Sequence, residues 1–180
     1  MKFLFYLFVV SILSTKVVAQ EATDSRSIYA TDITFSDISG DKFALSERWK
    51  VKPVLLYFWA TWCPYCKVAT PKVVKLNEKY SEFIDVLAIN IGVNDSLPNT
   101  HKYIRDYQIN YPVMFDETSQ VSALFNVVGT PVFVIISDKG EILYRSHRYP
   151  EEVEATFESI RQQKDENALL LSPRNDYASF

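Results

Sequence analysis

The chain has 180 residues, of which 48% are hydrophobic and 23% charged, with a formal net charge of −3. That balance is globular and excludes an intrinsically disordered chain. The mild acidity gives nucleic acid no electrostatic reason to bind, and the length suits one domain with a proper core.

The chain opens with MKFLFYLFVVSILSTKVVAQ. Lys2 supplies a short positive start. The apolar run Phe3 to Leu13 covers roughly eleven residues, where a membrane span needs roughly twenty. Val17-Val18-Ala19 places small residues at the −3 and −1 positions of a cut before Gln20. The expected organisation is a signal peptide over 1–19, a domain over 20–164 and a C-terminal tail over 165–180. The alternative for the first segment is an uncleaved N-terminal anchor, and either reading exports the domain, with the periplasm as the expected compartment. Loss of Lys2 and Lys16 with this segment takes the net charge from −3 to −5.

After a polar stretch from Gln20 to Ser27, ITFSDISGDKFALS reads as two strands around the turn Ser39-Gly40-Asp41. VKPVLLYFWA is a near-continuous apolar run, the mark of a strand buried on both faces. In KVATPKVVKLNEKY, Val68, Ala69, Val73, Leu76 and Tyr80 recur at helical spacing, interrupted by Pro71, which should kink the helix. IDVLAINIGV is a second buried strand. LPNTHKYIRDYQI reads as a helix with Tyr103, Ile104 and Tyr107 on one side. YPVMFD is a short strand, and SQVSALFNV a short helix capped by Thr118 or Ser119. TPVFVIISDKGEILYRS gives two strands joined at Asp138-Lys139-Gly140. HRYP reads as a turn, and PEEVEATFESIRQQ as an amphipathic helix with a solvated charged face. Strands alternating with helices imply an α/β domain with a partly parallel sheet covered on both faces.

The chain's two cysteines, Cys63 and Cys66, follow the first buried strand in FWATWCPYCK. A disulfide between them closes a tiny loop and would constrain the unfolded chain little, so a structural staple is a poor reading. A structural zinc wants four ligands, and the histidines His101 and His147 stand far away in sequence in no ligand spacing, so no metal is expected. Both are expected to be ordinary surface groups. A Cu(I) module or a chaperone-like module is the reading outside enzymes. Thiol–disulfide exchange needs a thiolate. At the start of a helix, a sulfur meets unpaired backbone N–H groups and the positive end of the helix dipole. Pro64 suits the first helical turn. Cys63 is therefore the expected nucleophile, facing solvent, and Cys66, one turn on and packed inward, the resolving thiol. No further cofactor is needed. Trp59 is expected in the core and Trp62 beside the site.

FWATWCPYC, the following Pro71 and the distant GTPVFVI of Gly129 to Ile135 resemble the thioredoxin fold. With the N-terminal hairpin, INIGVND and INYPVMFD, the resemblance narrows to the exported TlpA/ResA/DsbE-like thiol-disulfide oxidoreductases and covers roughly residues 33–162. It implies a central mixed sheet flanked by helices, with an N-terminal β-hairpin. It also implies a redox-active disulfide between Cys63 and Cys66, Trp62 as a wall of the site, and a cis Pro131. Thr130 beside it would offer its backbone to an extended client; Pro64 and Tyr65 would complete a substrate surface. The family reading adds partners: exported proteins carrying disulfides, including apocytochrome c, and a membrane electron donor of the DsbD type. A monomer is the default. An oxidase or isomerase is the rival direction. A peroxidase of the related peroxiredoxins would want Thr or Ser three residues before its nucleophile, where Ala60 stands.

Two departures stand out. Tyr57 replaces the buried aspartate of thioredoxin. The glutamate of ResA-like members falls at Val93, with Asn94 and Asp95 just beyond. Asp95 is a weak candidate for the missing proton relay; the simpler expectation is a solvated loop residue.

Overall fold

The computed structural model describes residues 29–148 and 151–171. The expected signal segment and the polar stretch after it lie outside the described residues.

A two-stranded antiparallel hairpin comes first, β1 (Thr34–Ser36) and β2 (Lys42–Ala44), turning at Gly40 with φ of 111°. Phe35 and Phe43 stack across it at 5.1 Å. A helix of five residues follows, α1 (Leu45–Trp49), where the sequence reading has no helix. It is too short for a 3.6-residue period to register, and it forms because Leu45 and Trp49 both drop into the core.

The main sheet has the order β5-β4-β3-β6-β7. Its centre is β3 (Val54–Trp59), buried at every residue. β3 pairs in parallel with β4 (Asp85–Asn90) and antiparallel with β6 (Val132–Ile136). β5 (Val113–Phe115) extends the parallel side, and β7 (Ile142–Ser146) the antiparallel side. The near-continuous apolar runs of the sequence are thus these three inner strands, covered on both faces. The hairpin docks on the β5 edge: Ile38 N–H donates to Val113 O at 2.9 Å, and Val113 N–H to the Asp37 carboxylate at 2.9 Å.

Between the strands lie α2 (Pro64–Tyr80), α3 (Leu97–Asp106) and α4 (Gln120–Leu124). α2 runs unbroken through Pro71, although that residue withholds an N–H from the Lys67 carbonyl. Its inner face is Cys66, Ala69, Thr70, Val73, Leu76 and Tyr80. The expected side-chain cap on α4 is corrected. Ser119 precedes the helix with φ of 55° but makes no capping bond, and its hydroxyl donates to Ile91 O at 2.8 Å. The Asp116 carboxylate does the capping, accepting from Ser122 N–H and the Ser122 hydroxyl at 2.7 Å each. The last helix, α5 (Glu151–Leu171), runs well into the stretch given to a tail. It packs Phe157 against Tyr80 of α2, ring centroids 6.1 Å apart. No helix among the described residues is long and apolar enough to cross a membrane.

Candidate active site

The C-terminal end of β3 delivers the chain to the mouth of α2. After Trp59, the backbone turns through Ala60–Cys63, closed by Cys63 N–H donating to Ala60 O at 3.2 Å. Cys63 is the N-cap of α2, and its sulfur accepts the Cys66 N–H at 3.1 Å. The sulfur itself thus satisfies a backbone donor that a helix start leaves open. An anionic sulfur at this position gains from the same N–H and from the helix dipole. Cys66 follows one turn later, and the two are joined as a disulfide with Cα atoms 5.2 Å apart.

The expected exposure of Cys63 is corrected: it is 2% accessible against 0% for Cys66. The exposed side chains here are its neighbours, Trp62, Pro64 and Tyr65. Exposure therefore separates the two sulfurs little, and position does so instead. Cys63 lies outside the first turn, with its sulfur 3.5 Å from Thr130 O, while Cys66 belongs to the inner face of α2. The Thr130–Pro131 bond is cis, just before β6.

Trp59 is fully buried. Trp62, which precedes Cys63 in the chain, is 46% exposed, its indole N–H donating to Val93 O at 2.7 Å. The loop after β4 is thereby tied to the site. Asp95 ties it again, and the solvated-loop expectation is corrected. Its carboxylate accepts from Thr61 N–H at 2.7 Å, the Thr61 hydroxyl at 2.8 Å, Asn90 Nδ2 at 2.8 Å and Ser96 N–H at 2.9 Å. It braces the residues just before Cys63 and lies in none of the hydrogen bonds that reach the cysteines.

Tyr57, in the place of the buried aspartate, is fully buried and stacks on Phe133 at 5.0 Å. Its hydroxyl donates to Cys66 O at 3.3 Å and lies 3.0 Å from the Thr70 hydroxyl, which in turn is 3.0 Å from Tyr103 Oη. Burial pushes the Tyr57 phenol well above its usual range, and Tyr103 is raised by the same cause. Both stay un-ionised at neutral pH, so this chain of hydroxyls donates and accepts hydrogen bonds without acting as a carboxylate base.

One residue that the sequence reading leaves on the surface is brought to the site. His147 follows β7, and its Nδ1 is 3.1 Å from Pro131 O. Since a carbonyl only accepts, Nδ1 carries the proton. Sequence spacing could not reveal it, because the antiparallel pairing of β6 with β7 is what returns the chain to the proline. His101 is an exposed residue of α3.

A sulfur pair that closes a disulfide across the first turn of a helix, on this sheet and against a cis-proline, belongs to the thioredoxin-like thiol-disulfide oxidoreductases. The chain belongs to the AhpC/TSA family, whose family model matches residues 29–145. The thioredoxin-like protein YneN of Bacillus subtilis is 32% identical over 63% of this chain and 66% of its own length. The thiol-disulfide oxidoreductase ResA of the same organism is 29% identical over 71% of this chain and 70% of its own. The chain thus spans about two thirds of these relatives. A solved structure from Chlorobium tepidum, described as a DsbE-type thiol:disulfide interchange protein, superposes with a TM-score of 0.62 at 25% identity, over 77% of this chain and 94% of its own.

Proposed function

We propose that the protein is an exported dithiol reductant of client-protein disulfides. The observation that carries this is the Cys63 sulfur held by the Cys66 N–H at the helix entrance, with Thr130 O opposite. The Cys63 thiolate attacks a client disulfide. A bond forms between Cys63 Sγ and one client sulfur, the client S–S bond breaks, and the departing client thiolate takes a proton from water. The Cys66 thiolate then attacks Cys63 Sγ, closing the Cys63–Cys66 disulfide and releasing the second client thiolate. Two electrons pass from the dithiol to the client. An exported reductant works against oxidising surroundings, so a membrane thiol donor of the DsbD type must return those electrons.

In this reading Trp62, Pro64 and Tyr65 form the rim that a client meets, and Thr130 and Pro131 the facing wall. The reducing direction is supported by the Pro64-Tyr65 dipeptide, which brings no cation to stabilise the thiolate. Export, and with it the periplasm as the working compartment, is the reading that the N-terminal sequence supports. Ala60 in place of a Thr or Ser argues against peroxidase chemistry within the wider family.

Equilibration of the domain with glutathione buffers tests the direction. A reduction potential near or below about −220 mV is expected; a value above about −150 mV would make the protein a disulfide donor instead.

A further inference from the structure

A groove of about 730 Å³ runs between α2 and the segment after β7, with Tyr65 on one side and Thr130 and Pro131 on the other. That volume falls in the range of sites that hold a drug-sized ligand. One wall is a stripe of α2 at helical spacing, Tyr65, Val68 and Lys72; the other is Pro131, His147 and Arg148. The stripe is unusual for a helix surface. Tyr65 is 77% and Val68 64% exposed, two large apolar side chains left in water next to the reactive pair.

Tyr65, Val68 and Pro131 give the groove apolar walls; its charged residues are Lys72, one turn further along α2 than Val68, and Arg148, which follows His147 in the chain. His147 donates through Nδ1 to Pro131 O, which leaves Nε2 as its second polar atom. Among the described residues lining this groove none is acidic. The Glu151 carboxylate stands at the outer rim, 4.0 Å from Lys72 Nζ, with its side chain 85% exposed. The chain's own acid thus marks a place where a carboxylate meets the groove beside Lys72.

We propose that the groove receives an extended segment of the client and selects one with an acidic side chain at its far end. The spacing follows from the helix. From Cys63 to Lys72 is about 13 Å along α2 at 1.5 Å per residue, and an extended chain covers that in about four residues. The preferred client carries an apolar residue next to its cysteine, against Tyr65 and Val68, and Asp or Glu about four positions away, against Lys72 and Arg148. This inference rests on the reductase reading above and adds the class of client to it.

The test uses the full mature chain, reduced, with disulfide-bonded peptides that differ at one position four residues from the cysteine, Glu or Lys, on either side. A small neutral disulfide, 2-hydroxyethyl disulfide, normalises for active dithiol. The expected result is at least about a fivefold higher kcat/KM for the Glu peptide at low salt, shrinking as salt screens the pair. In a Lys72→Gln, Arg148→Gln double variant the Glu-to-Lys ratio should fall toward one. Equal rates for both peptides while all are reduced would overturn the groove inference and leave the reductase standing. A Glu preference that persists in the double variant would also overturn it. Failure to reduce even the small disulfide would overturn the reductase reading itself, and this inference with it.

Discussion

The hydroxyl of Tyr57 rises from the central strand and donates to the carbonyl of Cys66 at 3.3 Å, under the turn that carries the resolving thiol. The Thr70 hydroxyl bonds the same carbonyl at 2.9 Å. In Tyr57→Phe the ring keeps its stack on Phe133, and the carbonyl keeps Thr70. The expected loss is about 1 kcal/mol, the worth of one net hydrogen bond, read from urea unfolding at pH 7. The pH dependence separates this from a packing effect. Burial raises the folded pKa of Tyr57, while an unfolded tyrosine ionises near about 10. Above that pH the unfolded state sheds a proton that the folded state keeps. Stability that is fully present below about pH 10 is therefore lost as pH rises toward the raised folded value. The Phe variant should show a shallower decline between pH 9 and pH 11 than the wild type; parallel declines would refute the assignment.

Asp95 is expected to act by positioning. Its four donors join Thr61, Asn90 and Ser96, so it fixes the chain just ahead of Cys63 to the end of β4. Asp95→Ala should cost roughly 2 kcal/mol, since it strands donors that now reach a charged acceptor. The Asp95→Asn variant keeps the size and part of the acceptor capacity, and should recover part of that loss. If Asp95 were instead a proton relay, Asn would be as damaging to turnover as Ala, and the pH–rate profile would move in both. Measured kcat/KM across pH for the two variants distinguishes these cases.

The succession of strands and helices along the chain and the place of the cysteines were legible because both are local. A run of buried β residues, a Cys-Pro pair and a 3.6-residue period each occupy one continuous stretch. What could not be read was what the fold brings together from a distance. Asp95 meets Thr61 across 34 positions, and His147 meets Pro131 only because β6 and β7 form a hairpin. The Tyr57 hydroxyl finds Thr70 because strand and helix pack in one register. The α4 cap was misread for a related reason. Ser119 has the right type and place, but its left-handed backbone turns the hydroxyl away, and Asp116 reaches over it. The resemblance to thioredoxin supplied the cis-proline, which no periodicity encodes.

Of the glycines, Gly92 is the one against which another stretch of backbone packs most tightly. Its φ is 71°, and a Cβ there would stand 2.2 Å from Asp116 O, a backbone atom that cannot step aside cheaply. Gly140, in the turn between β6 and β7, has a similar φ of 83°, but a Cβ there meets only the Trp49 ring at 3.4 Å. Gly140→Ala should cost about 1 kcal/mol, from the left-handed conformation alone. Gly92→Ala should cost at least about 3 kcal/mol, because a backbone clash adds to the same conformational term. It should also move Val93, and with it the acceptor of the Trp62 indole. The two variants are compared by denaturant midpoint and by tryptophan fluorescence. Equal losses at the two glycines would mean that the Asp116 contact relaxes freely.

The two sulfurs should fail in different ways when each is replaced. Cys63→Ser removes the group that opens the client disulfide, so turnover should fall below detection and no covalent client complex should form. Cys66→Ser keeps the nucleophile at the helix entrance but removes the thiol that closes the Cys63–Cys66 bond. It should attack once and stop, leaving Cys63 Sγ joined to the client. Incubation of each variant with a disulfide-bonded protein, followed by a thiol quench and mass analysis under non-reducing conditions, reads this directly. A mixed disulfide is expected with Cys66→Ser and none with Cys63→Ser. The reverse pattern would make Cys66 the attacking sulfur, despite its place on the buried face of α2. Since the two cysteine residues are 2% and 0% exposed, their places on the helix, outside the first turn and on its inner face, are what this experiment weighs.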